Sequence, residues 1–241
     1  MMDTRDVKND SKRVQVEAMF NDIARHYDFL NHFLSLGTDR LWRRRAINII
    51  GRHSKPKQIL DVATGTGDLA ITALLLNPEK VIGIDISEKM LELGRRKIAD
   101  RRPDDKIELI KADSEAMPFE DESFDAAMCA FGVRNFSSPL RGLTEICRVL
   151  RPGGMIMVLE FSRPAYFPVK QLYFLYFRRI LPLIGKIVSG DGKAYTYLPE
   201  SVMAFPEGEE FIRILTDAGF GGSLYKRLSG GIATIYYAFK S

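Results

Sequence analysis

Residues 59–70 read Ile-Leu-Asp-Val-Ala-Thr-Gly-Thr-Gly-Asp-Leu-Ala, and this stretch decides the fold of the chain. A short apolar run ends at an acidic residue, a turn with two glycines follows, and a second apolar run begins at Leu69. This order predicts a β-strand, a tight turn and the start of a helix. Glycines let the backbone approach a ligand closely, and the free N–H groups of a helix start point at that ligand. The stretch therefore predicts a ligand site at a strand–helix junction.

The turn fits a loose nucleotide-binding fingerprint, Gly65-x-Gly67-x-x-Ala70, in which alanine is allowed at the third position. Nicotinamide enzymes, flavin enzymes and S-adenosylmethionine (SAM) methyltransferases share this fingerprint, and an ordinary strand–helix turn satisfies it as well. The turn alone leaves the ligand open.

Two later strands also end at acidic residues. Residues 81–85 form an apolar run that ends in Asp85, at the distance expected for a carboxylate that binds a ribose diol. Residues 107–111 form a third strand, followed by Asp113 and Ser114. The alternative interpretations are a solvated turn acid at Asp85 and a turn or cap pair at Asp113 and Ser114.

Together the three motifs resemble those of the class I SAM-dependent methyltransferases. The resemblance implies SAM as the cofactor, with Asp85 on the ribose hydroxyls and Asp113 and Ser114 by the adenine. Thr64 and the glycines of the turn would flank the methionine part. The implied cofactor-binding residues are Asp61, Thr64, Gly65, Gly67, Asp85, Asp113 and Ser114.

Length and composition fit one α/β domain over residues 1–241. A net charge of +4 is too small to indicate nucleic acid by itself. Cys129 and Cys147 have no metal-ligand spacing, so we predict no metal site, and nothing suggests disulfides, which favours a reducing compartment. Met1–Arg13 lacks the apolar core of a signal peptide. We therefore expect a cytoplasmic protein.

Helical periodicity before the first strand predicts an N-terminal helical cap over residues 14–52, which can lie over the cofactor cleft. The second helix of this cap begins near Asp39 and contains Trp42 and a basic cluster. A basic cluster is either a solvated face or a contact for anionic lipid head groups. The cluster consists of Arg40, Arg43, Arg44 and Arg45.

The rest of the chain completes the pattern. Residues 124–130 and 155–161 read as the fourth and fifth strands, and residues 220–227 and 232–239 as a terminal antiparallel hairpin. Residues 163–199 are too long for a simple crossover and predict a cap insertion rich in aromatic and basic residues. The fold class is α/β: a Rossmann-like, seven-stranded, mostly parallel sheet with a C-terminal antiparallel hairpin, helices on both faces and two helical caps.

Three further segments are similar to signatures of the ubiquinone/menaquinone biosynthesis C-methyltransferase family. They are residues 27–31, 131–135 and 148–162, and with the glycine turn they extend along almost the whole chain. The chain departs from the family pattern at four positions, and no role is carried onto Asp39 or Ala130. The four positions are Leu30, Asp39, Ala130 and Arg151.

The resemblance implies methyl transfer from SAM to a ring carbon of a polyprenylated quinol. The ring carbon becomes nucleophilic when the neighbouring hydroxyl loses its proton, and phenols have a pKa near ~10. Arg134 stays protonated and can stabilise the phenolate, while Asn135 can orient the hydroxyl; a structural salt bridge is the alternative role for Arg134. Candidates for proton transfer or ring positioning are His26, Tyr27, Tyr195 and Tyr197.

The sequence leaves other functions open. Demethylmenaquinol is the favoured substrate, and the benzoquinol precursor of ubiquinone and a small-molecule O- or N-methylation are alternatives. A nicotinamide dehydrogenase and a non-enzymatic SAM-binding protein are the alternatives from other functional classes. The prenyl tail predicts peripheral contact with the inner face of the membrane. The oligomeric state is open, with a homodimer as one alternative.

Overall fold

The computed structural model of the chain describes residues 12–24, 35, 37–101, 105–175 and 193–241. Seven strands in these residues form one sheet with the order β3-β2-β1-β4-β5-β7-β6. The strands are β1 (Gln58–Val62), β2 (Lys80–Asp85), β3 (Ile107–Lys111), β4 (Phe124–Ala130), β5 (Leu150–Phe161), β6 (Phe220–Leu228) and β7 (Ala233–Lys240).

The first five strands are parallel, and β7 pairs antiparallel with both β5 and β6. The central strands are buried on both faces, which explains their nearly continuous apolar sequences. The predicted mostly parallel sheet with a C-terminal antiparallel hairpin is confirmed.

The helices cover both faces of this sheet. They are α1 (residues 12–24), α2 (Asp39–His53), α3 (Asp68–Ala73), α4 (Glu88–Arg101), α5 (Pro139–Val149), α6 (Val169–Leu175), α7 (Lys193–Ala204) and α8 (Glu209–Asp217). Helices α2 and α3 pack against one apolar core and α5 and α8 against another, with the sheet between the two cores. Ser138 caps α5, with Pro139 in the first turn as predicted.

The fifth strand is longer than the sequence predicts. Residues 151–154, which read as a turn, lie inside β5 because the register shifts there: Phe124 pairs with Leu150, and Ala126 pairs with Met155. Gly153 has a φ of 73°, which glycine adopts without steric cost. The strand therefore accommodates the predicted turn as a bulge.

The carboxyl ends of β1, β2, β4 and β5 meet at one edge of the sheet, called the carboxyl edge below. The loop between β6 and β7 lies there too, because Ala233 pairs with Phe161 at the end of β5. Among the described helices, none is long and apolar enough to cross a membrane. The carboxyl edge is where an open α/β sheet binds its ligand.

Candidate active site

A cleft opens at the carboxyl edge, with an empty volume of about 640 Å³ that includes open solvent at its mouth. Its walls combine apolar side chains with a few carboxylates and amides, which suits a ligand with both a ring and polar groups. Helix α1 covers it through Arg13, Val16 and Phe20. From the sheet side the lining includes Ala63, Gly65, Ile84, Asp85, Ile86, Asp113, Ser114, Phe131, Gly132 and Asn135.

Asp85 stands at the tip of β2, where its carboxylate joins two loops. Its Oδ2 atom accepts a hydrogen bond from the Gly65 amide at 2.9 Å, and its Oδ1 atom accepts one from the Ser87 amide at 2.9 Å. Burial raises the pKa of this carboxyl above its usual range, while the bonded amides favour the charged form. The carboxylate is thus fixed at the cleft wall and keeps lone pairs for a diol.

Asp113 and Ser114 line the same cleft beyond β3. Asp113 forms an ion pair with Arg13 of α1, with Nη1 2.7 Å from Oδ2, and its Oδ1 atom accepts the amide of Glu115. The turn that the sequence offered as an alternative is present, and Asp113 and Ser114 also line the cleft.

Helix α1 is tied across the cleft at three more points. Lys111 contacts Glu17 at 2.7 Å, Ser87 donates to Asn21 at 2.8 Å, and Lys12 donates to a backbone carbonyl beyond β4. These bonds reach the ends of three strands, so α1 serves as the near wall of the cleft. The N-terminal periodicity predicted a helix that can lie over the cleft; residues 12–24 form a helix there, and residues 25–34 of that prediction lie outside the described residues.

Gly65 is the residue of the glycine turn that lines the cleft, with a φ of 57°. Gly67 instead faces α4: a Cβ atom there would lie 3.3 Å from Ile98 Cδ1. Gly65 therefore leaves space for a ligand, whereas Gly67 lets helix α4 pack closely against the turn.

Asp61 and Thr64 lie behind the cleft lining. Thr64 donates to Asp61 Oδ2 at 2.6 Å, and Asp61 is 1% exposed. Its Oδ1 atom has no hydrogen-bond partner in the described part of the chain. Burial raises the pKa of the Asp61 carboxyl to about 7, although the Thr64 hydroxyl and the charge of Arg43 oppose the shift.

The ends of β1 and β4 are strained and in close contact. Ala63 and Phe131 both have positive φ angles, 53° and 60°, which non-glycine residues adopt at a cost. A Cβ atom on Gly132 would lie 2.6 Å from Ala63 Cβ, so only glycine fits between these two loops. Phe131 is held in place by stacking on Phe161 at 4.5 Å.

Arg134 follows β4 in a short 3₁₀ turn and is buried. Its Nη1 atom lies 2.7 Å from Oε1 of Glu160, a fully buried residue near the end of β5, and also donates to the Phe131 carbonyl. The salt bridge that the sequence left open as an alternative is therefore present. Arg134 Nε is buried without a hydrogen-bond partner in the described residues.

Two opposing effects act on the pKa of the Glu160 carboxyl. Burial raises the pKa of its carboxyl to about 7, and the Arg134 charge and hydrogen bond lower it. No role was predicted for Glu160 from the sequence, although a charged residue within an apolar strand is itself a signal. The pair places one charge of each sign directly behind the cleft.

Asn135 lines the cleft and receives a hydrogen bond from the cap insertion. The hydroxyl of Tyr197, on α7, donates to Asn135 Oδ1 at 3.0 Å. Burial raises the pKa of this hydroxyl, while the nearby Arg134 lowers it. The structure therefore brings together three of the predicted residues: Arg134, Asn135 and Tyr197.

Three predicted residues lie outside what the structure describes, in whole or in their side chains. His26 and Tyr27 lie outside the described residues, as do the family-like residues 27–31. Tyr195 belongs to α7, but its side chain is outside the description as well. The roles predicted for these three residues stay predictions.

Arg43 differs from the solvated basic cluster that the sequence suggested. It is 6% exposed and forms an ion pair with Asp39, one helical turn earlier, at 2.6 Å. The i, i+4 spacing of the two residues was the available signal. Trp42, beside it, is buried against Phe131 and Phe161 and donates from Nε1 to Ser229.

The sheet order, the glycine turn and the acidic residues at the strand ends define the class I methyltransferase fold. A solved SAM-dependent methyltransferase from Thermotoga maritima has this fold, with a TM-score of 0.65 at 21% identity, covering 94% of this chain and all of that one.

A model of the ubiE/COQ5 methyltransferase family matches residues 6–240, and the chain belongs to that family. A demethylmenaquinone methyltransferase from Bacteroides fragilis is 47% identical over 96% of this chain and 95% of its own. A ubiquinone/menaquinone biosynthesis C-methyltransferase from Geobacter sp. (strain M21) is 46% identical over 95% and 97%. The predicted family, the methyltransferase activity and SAM as cofactor are confirmed.

The residues of the cleft fit SAM. A fixed carboxylate at the tip of β2 suits a ribose diol, apolar side chains such as Ile84 and Ile86 suit a flat ring, and Gly65 leaves room for close approach of the ligand. The buried acid–hydroxyl pair of Asp61 and Thr64 supports the turn from behind.

Proposed function

We propose that the protein transfers a methyl group from SAM to a ring carbon of demethylmenaquinol, giving menaquinol. The support for this substrate is the 47% identity, over almost the whole of both chains, to a protein named for that reaction. The observation that carries the site is the hydrogen bond from Tyr197 to Asn135 beside the buried Arg134. It joins the cap insertion to the loop after β4, next to the cofactor cleft.

In this proposal the predicted cofactor residues that line the cleft keep their predicted roles. Asp85 binds the ribose hydroxyls, and Asp113 and Ser114 lie by the adenine. Gly65 flanks the methionine part, while Asp61, Thr64 and Gly67 shape the turn around it. Bound SAM supplies an electrophilic methyl group, so the protein's tasks are to orient the ring, exclude water and manage the hydroxyl proton.

Arg134 stabilises the phenolate that forms when the ring hydroxyl loses its proton. Its guanidinium stays protonated, and Glu160 fixes its orientation through Nη1. The Nε–H group is buried and has no described partner, so in this proposal Arg134 acts on the phenolate through its charge. Asn135 orients the hydroxyl, and Tyr197 holds Asn135 in place. His26 and Tyr27 remain candidates for the proton acceptor.

The described parts of the two caps, residues 14–24, 37–52, 163–175 and 193–199, would line the space for the ring and the first part of the prenyl tail. A prenylated quinol resides in a bilayer, so the protein works as a cytoplasmic enzyme at the inner face of the membrane. Sedimentation velocity tests the homodimer that the sequence leaves open.

The decisive experiment offers reduced demethylmenaquinol and the reduced benzoquinol to the purified protein, each in detergent, with labelled SAM. We expect transfer to the naphthoquinol. The second candidate substrate is the benzoquinol, because another relative is named for both quinones. Transfer to neither quinol, with SAM binding intact, would refute the substrate proposal. Arg134→Ala should lower turnover far more than SAM affinity; a collapse of SAM binding would place Arg134 in the cofactor site instead.

A further inference from the structure

One groove is lined by five basic residues and one acidic residue. It lies between α2, α3 and α4, and its charged lining residues are Arg40, Arg43, Arg44, Asp68, Lys97 and Arg101. Removing these six from the chain's 35 basic and 31 acidic residues leaves 30 of each. The lining carries a formal charge of +4, with the Asp39 carboxylate buried behind Arg43, and it is called the basic groove below.

The floor of the basic groove is already paired, and the rim is exposed. Lys97 contacts Asp68 at 3.0 Å, and Arg43 pairs with Asp39. Arg44 and Arg101 are solvent-exposed on facing helices. An exposed basic rim attracts anions by long-range electrostatics and raises their concentration at the groove.

Exposed apolar residues lie on the rim of the basic groove and in the turn before α6. Leu41, on the rim of the basic groove, is 48% exposed. Tyr166 and Phe167, in the turn before α6, are 73% and 80% exposed. Contiguous exposed apolar patches mark contact sites for a protein or a membrane.

The loop between β6 and β7 connects these two exposed regions. Trp42, next to Leu41, donates to Ser229 at 2.9 Å. A Cβ atom on the neighbouring Gly230 would lie 3.1 Å from Val169, which is two residues after Phe167. The α2 side of the basic groove and the aromatic turn therefore flank one loop at the carboxyl edge, where the cleft opens.

We propose that the basic groove and the aromatic turn of Tyr166 and Phe167 form one docking surface for an anionic phospholipid bilayer. The groove takes the lipid phosphates, and the aromatic turn enters the head-group region. Cations beside exposed aromatic side chains are the combination that favours an anionic membrane surface. This inference rests on the proposed function, because it presents the cleft to the membrane in which a prenylated quinol is dissolved.

The test measures binding of the full-length protein to vesicles of phosphatidylcholine alone and of phosphatidylcholine with phosphatidylglycerol, at low and high salt. Arg44→Glu with Arg101→Glu should weaken binding to the anionic vesicles at least tenfold and abolish its salt dependence. Tyr166→Ser with Phe167→Ser should weaken binding to both kinds of vesicle. The matched controls lie outside the lining of the basic groove: Arg52→Glu on the far end of α2, and Leu75→Ser, whose side chain is 60% exposed. Both controls should bind like the wild type.

The outcomes separate this inference from the proposed function. If the wild type methylates a quinol in detergent but does not bind anionic vesicles, the docking surface is refuted and the proposed function stands. If it binds vesicles as expected but methylates no quinol, the reverse holds. Equal loss of binding in the controls would also refute the surface.

Two further arms identify other occupants. Protection of the fold by inorganic phosphate, without vesicle binding, would make the basic groove a site for a soluble anion and overturn the proposal. Dissociation of a dimer by the aromatic variant, with vesicle binding unchanged, would make the aromatic turn a contact between two copies. Arg44→Glu with Arg101→Glu should retain its turnover of detergent-dissolved quinol, which shows that the variant is folded.

Discussion

Arg134 and Glu160 form a buried ion pair, with Nη1 2.7 Å from Oε1, directly behind the cleft at the ends of β4 and β5. The pair fixes the direction of the guanidinium and compensates part of its charge. A guanidinium held in this way can stabilise an anion without reorganising during the reaction. A buried pair is costly to form, so its presence behind a functional cleft supports the proposed role of Arg134.

Replacing both residues of this ion pair should restore stability without restoring activity. Glu160→Ala leaves a buried charge unpaired and should lower the free energy of unfolding by about 3–5 kcal/mol. Arg134→Met combined with Glu160→Leu should recover most of that loss but none of the turnover. Urea unfolding and a methyl-transfer assay on the same samples measure both. A double variant with wild-type turnover would show that the pair is structural only.

Stability should fall with pH because of Asp61. Burial raises its pKa from 3.8 to about 7, so the folded chain binds this proton more tightly than the unfolded chain. The contribution is therefore present at acidic pH and is lost as the pH rises toward 7. Asp61→Asn removes this titration. Relative to the variant, the wild type should lose about 2–4 kcal/mol between pH ~4 and ~8. A constant difference across this range would contradict the raised pKa.

Asp85→Asn should weaken SAM binding by about tenfold to a hundredfold, because a charge-assisted hydrogen bond contributes about 1.5–3 kcal/mol. Asp125→Asn is the matched control. Asp125 also accepts two backbone amides, those of Lys57 and Gln58 at 2.8 Å, but at the opposite edge of the sheet. Calorimetric titration should show wild-type affinity for this control. Equal weakening by both substitutions would mean that the effect comes from loop stability.

Tyr197→Phe removes the hydroxyl that contacts Asn135 and should reduce turnover at least tenfold, with SAM affinity unchanged. The stability loss should be about 1 kcal/mol. Tyr236→Phe provides the comparison, because its buried hydroxyl bonds to the Gly208 amide at 2.8 Å, away from the cleft. Tyr236→Phe should lose similar stability but keep its turnover. If Tyr197→Phe keeps its turnover too, Asn135 needs no support from α7.

The sequence predicted the sheet well because its signals are local. Apolar runs that end in acids, a glycine turn and a capped helix each arise from neighbouring residues, and they predicted the positions of the five parallel strands along the chain. The bulge in β5 was missed because Arg151–Gly154 has the composition of a turn. Only the pairing with β4 shows that the chain resumes the same strand after it.

The family and its cofactor were likewise accessible from the sequence, because the motifs combine at fixed spacings. The arrangement of charges was not. Arg43 and Arg44 are neighbours with the same chemistry, yet one is buried against Asp39 and the other is exposed on the rim of the basic groove.

By itself, the sequence determined the fold class, the strand ends that carry the acids, and the residues after β4 as a candidate site. Only the tertiary structure decided that Arg134 pairs with Glu160, that Tyr197 reaches Asn135, and that α4 completes the basic groove. These contacts join residues separated by 26, 62 and more than 50 positions. Their partners are set by packing of the sheet and helices, and no local pattern of the chain records that packing.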